Sequence, residues 1–315
     1  MARSHTVTVF FALLALAPLP GCRAHAPASA PRPAAPSAGG FPLTLVDDAG
    51  RRVTLTKRPE RIVSLCAADT EILFALGLDR EIVGVDQYSD YPPAARSKPV
   101  MGSFAEPDLE QIVGSAPDLV LAAAMHVPEG VRALESRGIT VAVIAPGNVP
   151  AVLDRIGTVG RLTGQERQAA NLVASLRARI RAVAARIAGR PRPRVFVEVS
   201  PDLYTPGPGS FLNDVVARAG GENVAADAAS EWPQISQEAL LLKDPQVIVL
   251  TDSLEGVTVS KAAARPGWRD IDAVRRGRVV TIDPNLADRT GPRIADGLEA
   301  MADLIHPETK GLARR

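Results

Sequence analysis

"WPQISQEALLLKDPQVIVLTD", residues 232–252, repeats the layout of an earlier stretch, "FAEPDLEQIVGSAPDLVLAAA", residues 104–124. At a shift of 128 positions Trp232 falls on Phe104, Glu238 on Glu110, Pro245 on Pro117, and Val247-Ile248-Val249 on Leu119-Val120-Leu121. In each copy a capping residue, Asp108 or Ser236, opens a short helical stretch whose first turn holds the glutamate. A strand-like run follows the proline. A chain that writes the same aromatic, helix and strand twice predicts two related lobes.

A carboxylate in a first helical turn is favoured by the positive end of the helix dipole and stays ionised and exposed. For either glutamate alone, dipole compensation is a sufficient reading. Matched placement in two lobes predicts something further, a pair of fixed negative charges offered to a two-fold partner. The aromatics six residues earlier fall in loops after a strand, where open α/β sheets form their binding crevice. Read singly, Phe104 and Trp232 are equally compatible with local core.

Working outward, "FPLTLVDDAGRRVTLT" (residues 41–56) alternates apolar and polar positions about Asp48-Ala49-Gly50, a hairpin pattern. "RIVSL", "IVGVD", "DLVLAAA" and "TVAVIA" are short apolar runs separated by helical periods. They predict strands buried on both faces of a parallel sheet. The alternation restarts at "RVFVEVS", "QVIVLTD" and "RVVTIDP". Between the halves Ala169, Leu172, Val173, Leu176, Ile180, Val183 and Ile187 recur at steps of three and four. They predict one amphipathic helix of about 25 residues, about 37 Å long, which Pro191 and Pro193 stop. A crossover helix within one large domain is the alternative, but typical helices average about 11 residues, so the length favours a stiff spine. The expected fold is α/β, two Rossmann-like lobes with mainly parallel sheets (residues 41–163 and 190–315) joined by one long α-helix (residues 164–189).

The first residues predict export. Arg3 precedes an apolar run from Val7 to Leu19 that is too short to span a bilayer, and it ends at "LPGC". The tetrapeptide resembles a bacterial lipobox, which implies a signal peptide over residues 1–21 and lipidation at Cys22; simple secretion is the alternative. Residues 22–40, rich in Ala, Pro and Ser, read as a disordered tether. Basic and acidic residues number 36 and 35, so no charge footprint points to nucleic acid. With Cys22 lipidated, Cys66 is the remaining cysteine and no intrachain disulfide is expected.

"VDQYSDYPPAA", "LEQIVGSAPDLV", "GGENVA" and "EWPQISQEALLLKDPQVIVLTD" resemble the cobalamin-binding periplasmic proteins that feed ABC importers. These belong to a helical-spine class of solute-binding proteins that also takes ferric siderophores and haem, and the resemblance runs from Arg61 to the C-terminus. It implies a monomer without catalytic activity or a cofactor of its own, holding cobalamin or another corrinoid between two lobes. It also implies that Glu110 and Glu238 dock onto arginines of a permease dimer. The protein would sit on the periplasmic side of a membrane that it touches through its lipid anchor only. Carried across, the ligand site comprises Tyr88, Phe104, Tyr204, Trp232, Asn285, Asp288 and Arg289. The chain departs from the family in four places: no tryptophan in "AAAMHVPEG", Phe104 in place of a larger aromatic, no C-lobe disulfide, and Cys66 where serine is usual.

Rival functions leave weaker traces. A zinc or manganese binder needs clustered ligands, whereas the four histidines are His5, His25, His126 and His306, two of them before residue 26. His126 is either a haem ligand or a solvated loop residue. Anionic siderophores call for several convergent cations, and the carried-over site supplies Arg289. With no basic neighbour to lower its pKa, Cys66 reads first as a small buried residue, with ligation of cobalt by its thiolate as the alternative. For an exported enzyme there is no G-x-S-x-G elbow and no P-loop. "GPGSFL" lacks the third glycine of a dinucleotide fingerprint.

Overall fold

The computed structural model describes residues 40–103, 105–123 and 129–310. Phe104, His126, the signal segment, Cys22 and the tether up to residue 39 lie outside the described residues. Among the described residues no helix is long and apolar enough to cross a membrane.

The hairpin comes first, β1 (Leu43–Val46) antiparallel to β2 (Arg52–Leu55). Asp47 closes it, accepting from the amides of Ala49 and Arg51, and ties it to the first lobe through the amide of Val143 at 3.0 Å. Then follow β3 (Ile62–Ser64), α1 (Ala67–Ala75), β4 (Ile82–Val85), α2 (Leu109–Gly114), β5 (Leu119–Ala122), α3 (Glu129–Glu135) and β6 (Val141–Val143). After helices α4 (Val149–Thr163) and α5 (Glu166–Ile187) come β7 (Arg194–Glu198), α6 (Phe211–Arg218), β8 (Glu222–Asn223), α7 (Gln237–Lys243) and β9 (Val247–Leu250). The chain ends with α8 (Val259–Ala263), α9 (Asp272–Arg275), β10 (Val279–Thr281), α10 (Pro284–Ala287) and α11 (Ile294–Ile305).

Both four-stranded sheets are parallel, in the orders β4-β3-β5-β6 and β10-β9-β7-β8. Numbered by appearance within its own sheet, each runs second, first, third, fourth. The duplication read from two short stretches is thus a duplication of topology. It extends to details that the stretches do not announce. Ala116 and Asp244, again 128 positions apart, both adopt left-handed φ, 46° and 41°, directly before the paired prolines. A residue before proline is barred from continuing a helix, so α2 and α7 stop there. The freed carbonyls take an arginine from the neighbouring strand: Arg61 donates to Ser115 O and Ala116 O, and Arg194 to Lys243 O and Asp244 O.

The predicted rod is α5, and it is doubled. Gly164, at φ 68°, ends α4 and reverses the chain, so the two helices pack antiparallel. Gly160 permits their close approach, since a Cβ there would lie 2.4 Å from that of Ala169. The amide of Val149 at the start of α4 donates to Asp214 in α6, while Gly164 at its end lies beside Phe41 and Arg58. Helix α4, read from sequence as part of the first lobe, therefore reaches both halves. Arg179 and Arg186 of α5 pair with Asp296, Glu299 and Asp303 of α11.

Period-two alternation divides the strand residues between two faces. Val63, Val120 and Val143 face an outer cluster with α2 and α3, and Phe196, Ile248 and Leu250 face another with Leu240 and Trp268. Ile62, Leu119, Leu121, Val195, Val197, Val247 and Val249 all face one central cluster, shared with α1, α4, α5, α6 and α11.

At the carboxyl ends of β7 and β9 the core holds two acids. Glu198 is fully buried and gripped by Arg265 at 2.6 and 2.7 Å, with the guanidinium over the Trp268 ring. Buried Asp252 finds no donor for either oxygen among the described residues and lies against Glu198. The unpaired Asp252 carboxylate beside it opposes the ionisation of Glu198. Burial first, then Asp252 against the opposing pull of Arg265, raises Glu198 from 4.5 to about 7. The folded chain thus binds more protons than the unfolded one between these values, and this contribution to stability, full below 4.5, is lost as pH rises through 7. Asp252→Asn removes that opposing acid and offers an amide donor in its place. We expect its thermal midpoint to gain several degrees on the wild type between about pH 5 and about pH 8; parallel melting profiles across that range would refute the role of Asp252 in raising the Glu198 carboxyl.

Candidate functional site

A cavity of about 410 Å³ opens at the second lobe, lined by Val199, Phe211, Leu212, Trp232, Asp288 and Thr290. Val199 directly follows β7, and Phe211 and Leu212 begin α6, where the Ser210 hydroxyl caps the amide of Asn213. The cavity thus sits where the strands of the sheet end, the usual place for a ligand in an open α/β fold. Of the residues singled out by sequence, Trp232 and Asp288 meet here.

Tyr204 is brought to the same region by backbone pairing. Tyr204 bridges Gln234, the Thr205 amide donates to Pro233 O at 3.0 Å, and the Gly207 amide donates to Glu231 O at 2.7 Å. A Cβ on Gly207 would lie 2.1 Å from Ser230 O, so glycine is required for the two segments to touch. That is the role of the first glycine in "GPGSFL". Trp232 and Tyr204 keep 47% and 40% of their surface exposed, and Tyr88 keeps 56%. These rings are offered to solvent, whereas Trp268 is wholly buried and serves as core.

Asp288 is open to solvent, yet protein crowds its remaining sides. Burial first, then the charge of Asp283, pushes its carboxyl up to about 7; water reaching it from the cleft retains part of its hydration and works against that rise. Asn285 lies in α10, where Asp283 caps its amide at 2.9 Å. Arg289 is spent inside the protein: Nη1 donates to Glu71 at 3.2 Å and Asp90 at 2.7 Å, and Nη2 to the Tyr88 carbonyl at 3.1 Å.

Below this loop, buried Arg155 of α4 binds buried Asp69 of α1 at 2.6 and 2.7 Å, and donates to Thr290 Oγ1 at 2.9 Å. Burial opposes its charge, but Asp69 and then Cys66 hold it protonated. Arg155 also lies 3.6 Å from the Cys66 sulfur, which corrects the reading that this thiol has no basic neighbour. The cation comes from 89 residues away, a distance no local pattern reveals. It does not make a thiolate, because the enclosing protein pushes the thiol up by more than Arg155 lowers it. His306 is buried at the end of α11 against Gly220 O. Among the described residues no group of three His, Cys, Asp or Glu is placed to hold a metal ion.

Glu110 and Glu238 stand exposed in the first turns of α2 and α7, capped by Asp108 at 3.0 Å and Ser236 at 3.1 Å. Each helix precedes and opposes its strand, so each glutamate lies toward the carboxyl edge of its sheet. For Glu238 its own amide, then the Ser236 hydroxyl, hold the carboxyl below its usual range. Asp69, Glu71, Arg155 and Arg293 escaped the sequence reading. The available signal was two acids interrupting the apolar helical run "CAADTEILFALG".

The chain is 34% identical to an uncharacterized ABC transporter substrate-binding lipoprotein of Bacillus subtilis over 85% of its own length and 87% of that protein's. It is 34% identical to a cobalamin-binding protein of Halobacterium salinarum over 91% of its own length and 81% of that protein's. Its fold is shared with the periplasmic heme-binding protein RhuT of a Roseiflexus species, at a TM-score of 0.72 and 28% identity, over 80% of this chain and 99% of that one. A family model described as periplasmic binding protein matches residues 62–286, and with the duplicated sheets, the helical rod and the cavity at the strand ends in place, the chain belongs to the periplasmic binding protein family.

Proposed function

We propose that this protein captures a corrinoid such as cobalamin between two lobes and delivers it to the permease of an ABC importer, anchored to a membrane through lipidated Cys22. The lobe and rod boundaries at residues 163, 164, 189 and 190 belong to this reading. The observation that carries it is the charge of the cavity. Its described lining is aromatic and aliphatic apart from one hydroxyl, Thr290, and one carboxyl, Asp288, with no cation, and Arg289, the cation expected there, is engaged by Glu71 and Asp90. A corrin offers broad apolar faces and a rim of neutral amides, which suits such a wall. Anionic siderophores and the two carboxylates of haem call for converging Arg or Lys side chains. The name of the Halobacterium relative supports the same cargo. Haem is the second reading, favoured by the likeness to the Roseiflexus protein.

Calorimetric titration with cobalamin, a ferric hydroxamate and haem separates these readings. We expect cobalamin to bind tightest, at a nanomolar dissociation constant or about −12 kcal/mol; tighter binding of haem would transfer the assignment to the second reading. Trp232→Ala should weaken cobalamin binding by about tenfold or more through loss of one flat apolar wall. Unaltered affinity would place this ring outside the site. Replacing Glu110 and Glu238 together by arginine should abolish uptake in cells and leave affinity in solution unchanged, because docking and capture use different surfaces. A matching loss of affinity would show that the two surfaces are one.

A further inference from the structure

We propose that Glu71 is a positioning residue for cargo capture, fixing in advance the loops that carry Tyr88 and Asp288. The proposal rests on the capture reading and adds to it a residue that touches no cargo. Glu71 lies in α1, in the first lobe, and is 2% exposed. Its Oε1 accepts from Arg289 Nη1 at 3.2 Å and Arg293 Nη2 at 2.7 Å, and its Oε2 from Arg293 Nε at 3.0 Å. Both arginines belong to the segment 288–293 near the end of the chain. One carboxylate therefore anchors that strap to a helix more than two hundred residues away.

What the strap holds gives the contact its meaning. Arg289 passes the anchorage to Asp90 and to the carbonyl of Tyr88, and Arg293 stacks on the Tyr91 ring at 4.2 Å. Between the two arginines, Thr290 bonds Arg155, and Gly291 lies so close to α1 that a Cβ would come within 3.3 Å of Ala68 O and 3.4 Å of Glu71 Oε2. Asp288 and Thr290, which line the cavity, sit on this strap; Tyr88 sits on the loop that it grips. Without Glu71 the strap would keep its bonds to Asp90 and the Tyr88 carbonyl but lose its anchor on α1, so the strap and the Tyr88 loop that it grips would be left held to each other and no longer to that helix. A pre-set wall lowers the ordering cost that binding otherwise carries. The Tyr88 loop has a second tie within its own lobe, in which Ser89 bridges Asp86 and Thr70. Removal of Glu71 is therefore expected to loosen the wall and leave the lobe folded.

Amide hydrogen exchange on the cargo-free protein and cyanocobalamin titration test this on Glu71→Gln, Asp90→Asn and the double variant. In Glu71→Gln, exchange over residues 86–91 and 288–293 should rise by about tenfold or more, with α5 and β9 unchanged. Affinity should fall by about tenfold, and the double variant should lose less than the product of the single losses, because both acids act through Arg289. Asp90→Asn, whose site is half-exposed, keeps Glu71 in place and should loosen residues 86–91 alone. If Glu71→Gln does not fold, Arg293→Lys, which keeps the charge but removes the two-point bond to Glu71, supplies the test: exchange over residues 288–293 should rise, and unchanged exchange there would overturn the proposal. Unchanged exchange at 86–91, a rise spread over the whole chain, or full affinity in Glu71→Gln would overturn the proposal. A wild-type protein with no affinity for cyanocobalamin would instead overturn the corrinoid reading, and the exchange data would still decide whether Glu71 holds the strap.

Discussion

Both halves of this molecule pack the inner faces of their sheets onto the same antiparallel pair of helices, α4 and α5. Ile62, Leu119 and Leu121 from the first sheet and Val195, Val247 and Val249 from the second join one apolar cluster with Ile156, Leu176 and Leu298. Each such side chain, fully buried, is worth about 1.5–3 kcal/mol relative to exposure. Exposing six of them would cost about 9–18 kcal/mol, as much as the whole of a nanomolar association at about 12 kcal/mol. Cargo binding cannot drive that separation. Any movement of the halves would have to leave most of this cluster intact.

Such a core creates a problem at its own edge. The floor of the cleft is where α1, α4 and the last loop meet, and it contains Asp69, Glu71, Arg155, Arg289 and Arg293, the first three of them buried. Charges are costly to bury unless paired and hydrogen-bonded, and here each acid faces an arginine with two-point geometry or two arginines at once. The arrangement adds little stability over an apolar seam of the same shape. It adds direction, because guanidinium forks accept few alternative positions. The apolar cluster holds the halves together, and the ionic seam sets their register at the cleft.

Much of this was legible in the sequence wherever the signal was local. Strand runs, the hairpin, the capped first turns at Asp108 and Ser236 and the rod over Ala169 to Ile187 all follow from periods of two or 3.6 and from caps. The repeat was visible because Pro117 and Pro245 stop their helices in the same way. Residues that act at a distance were not legible. Arg61 and Arg194 look like ordinary charged positions at strand starts until the sheet brings helix carbonyls beside them. Arg155 sits on an amphipathic helix among other arginines, and only the packing of α4 on α1 singles it out. Arg289 shows the reverse case. The resemblance marked it as a ligand contact, but a cation within reach of Glu71, Asp90 and a carbonyl satisfies itself internally. Position along the chain gave its neighbourhood but not its partners.

The remaining carboxyl in the cavity then takes on more weight. Asp288 retains solvent on one side, and its proton is held near neutrality by burial and by Asp283. A flat cargo laid against Trp232 would cover that side and remove the water, favouring the protonated acid further unless the cargo brings a donor of its own. Rim amides satisfy either form, since they carry both N–H donors and carbonyl acceptors. Cargo carboxylates could meet only the protonated form, with no guanidinium among the described lining residues to compensate. On the corrinoid reading this acid would accommodate a neutral amide rim and disfavour anionic cargo, the more so as pH rises and the cost of keeping its proton grows.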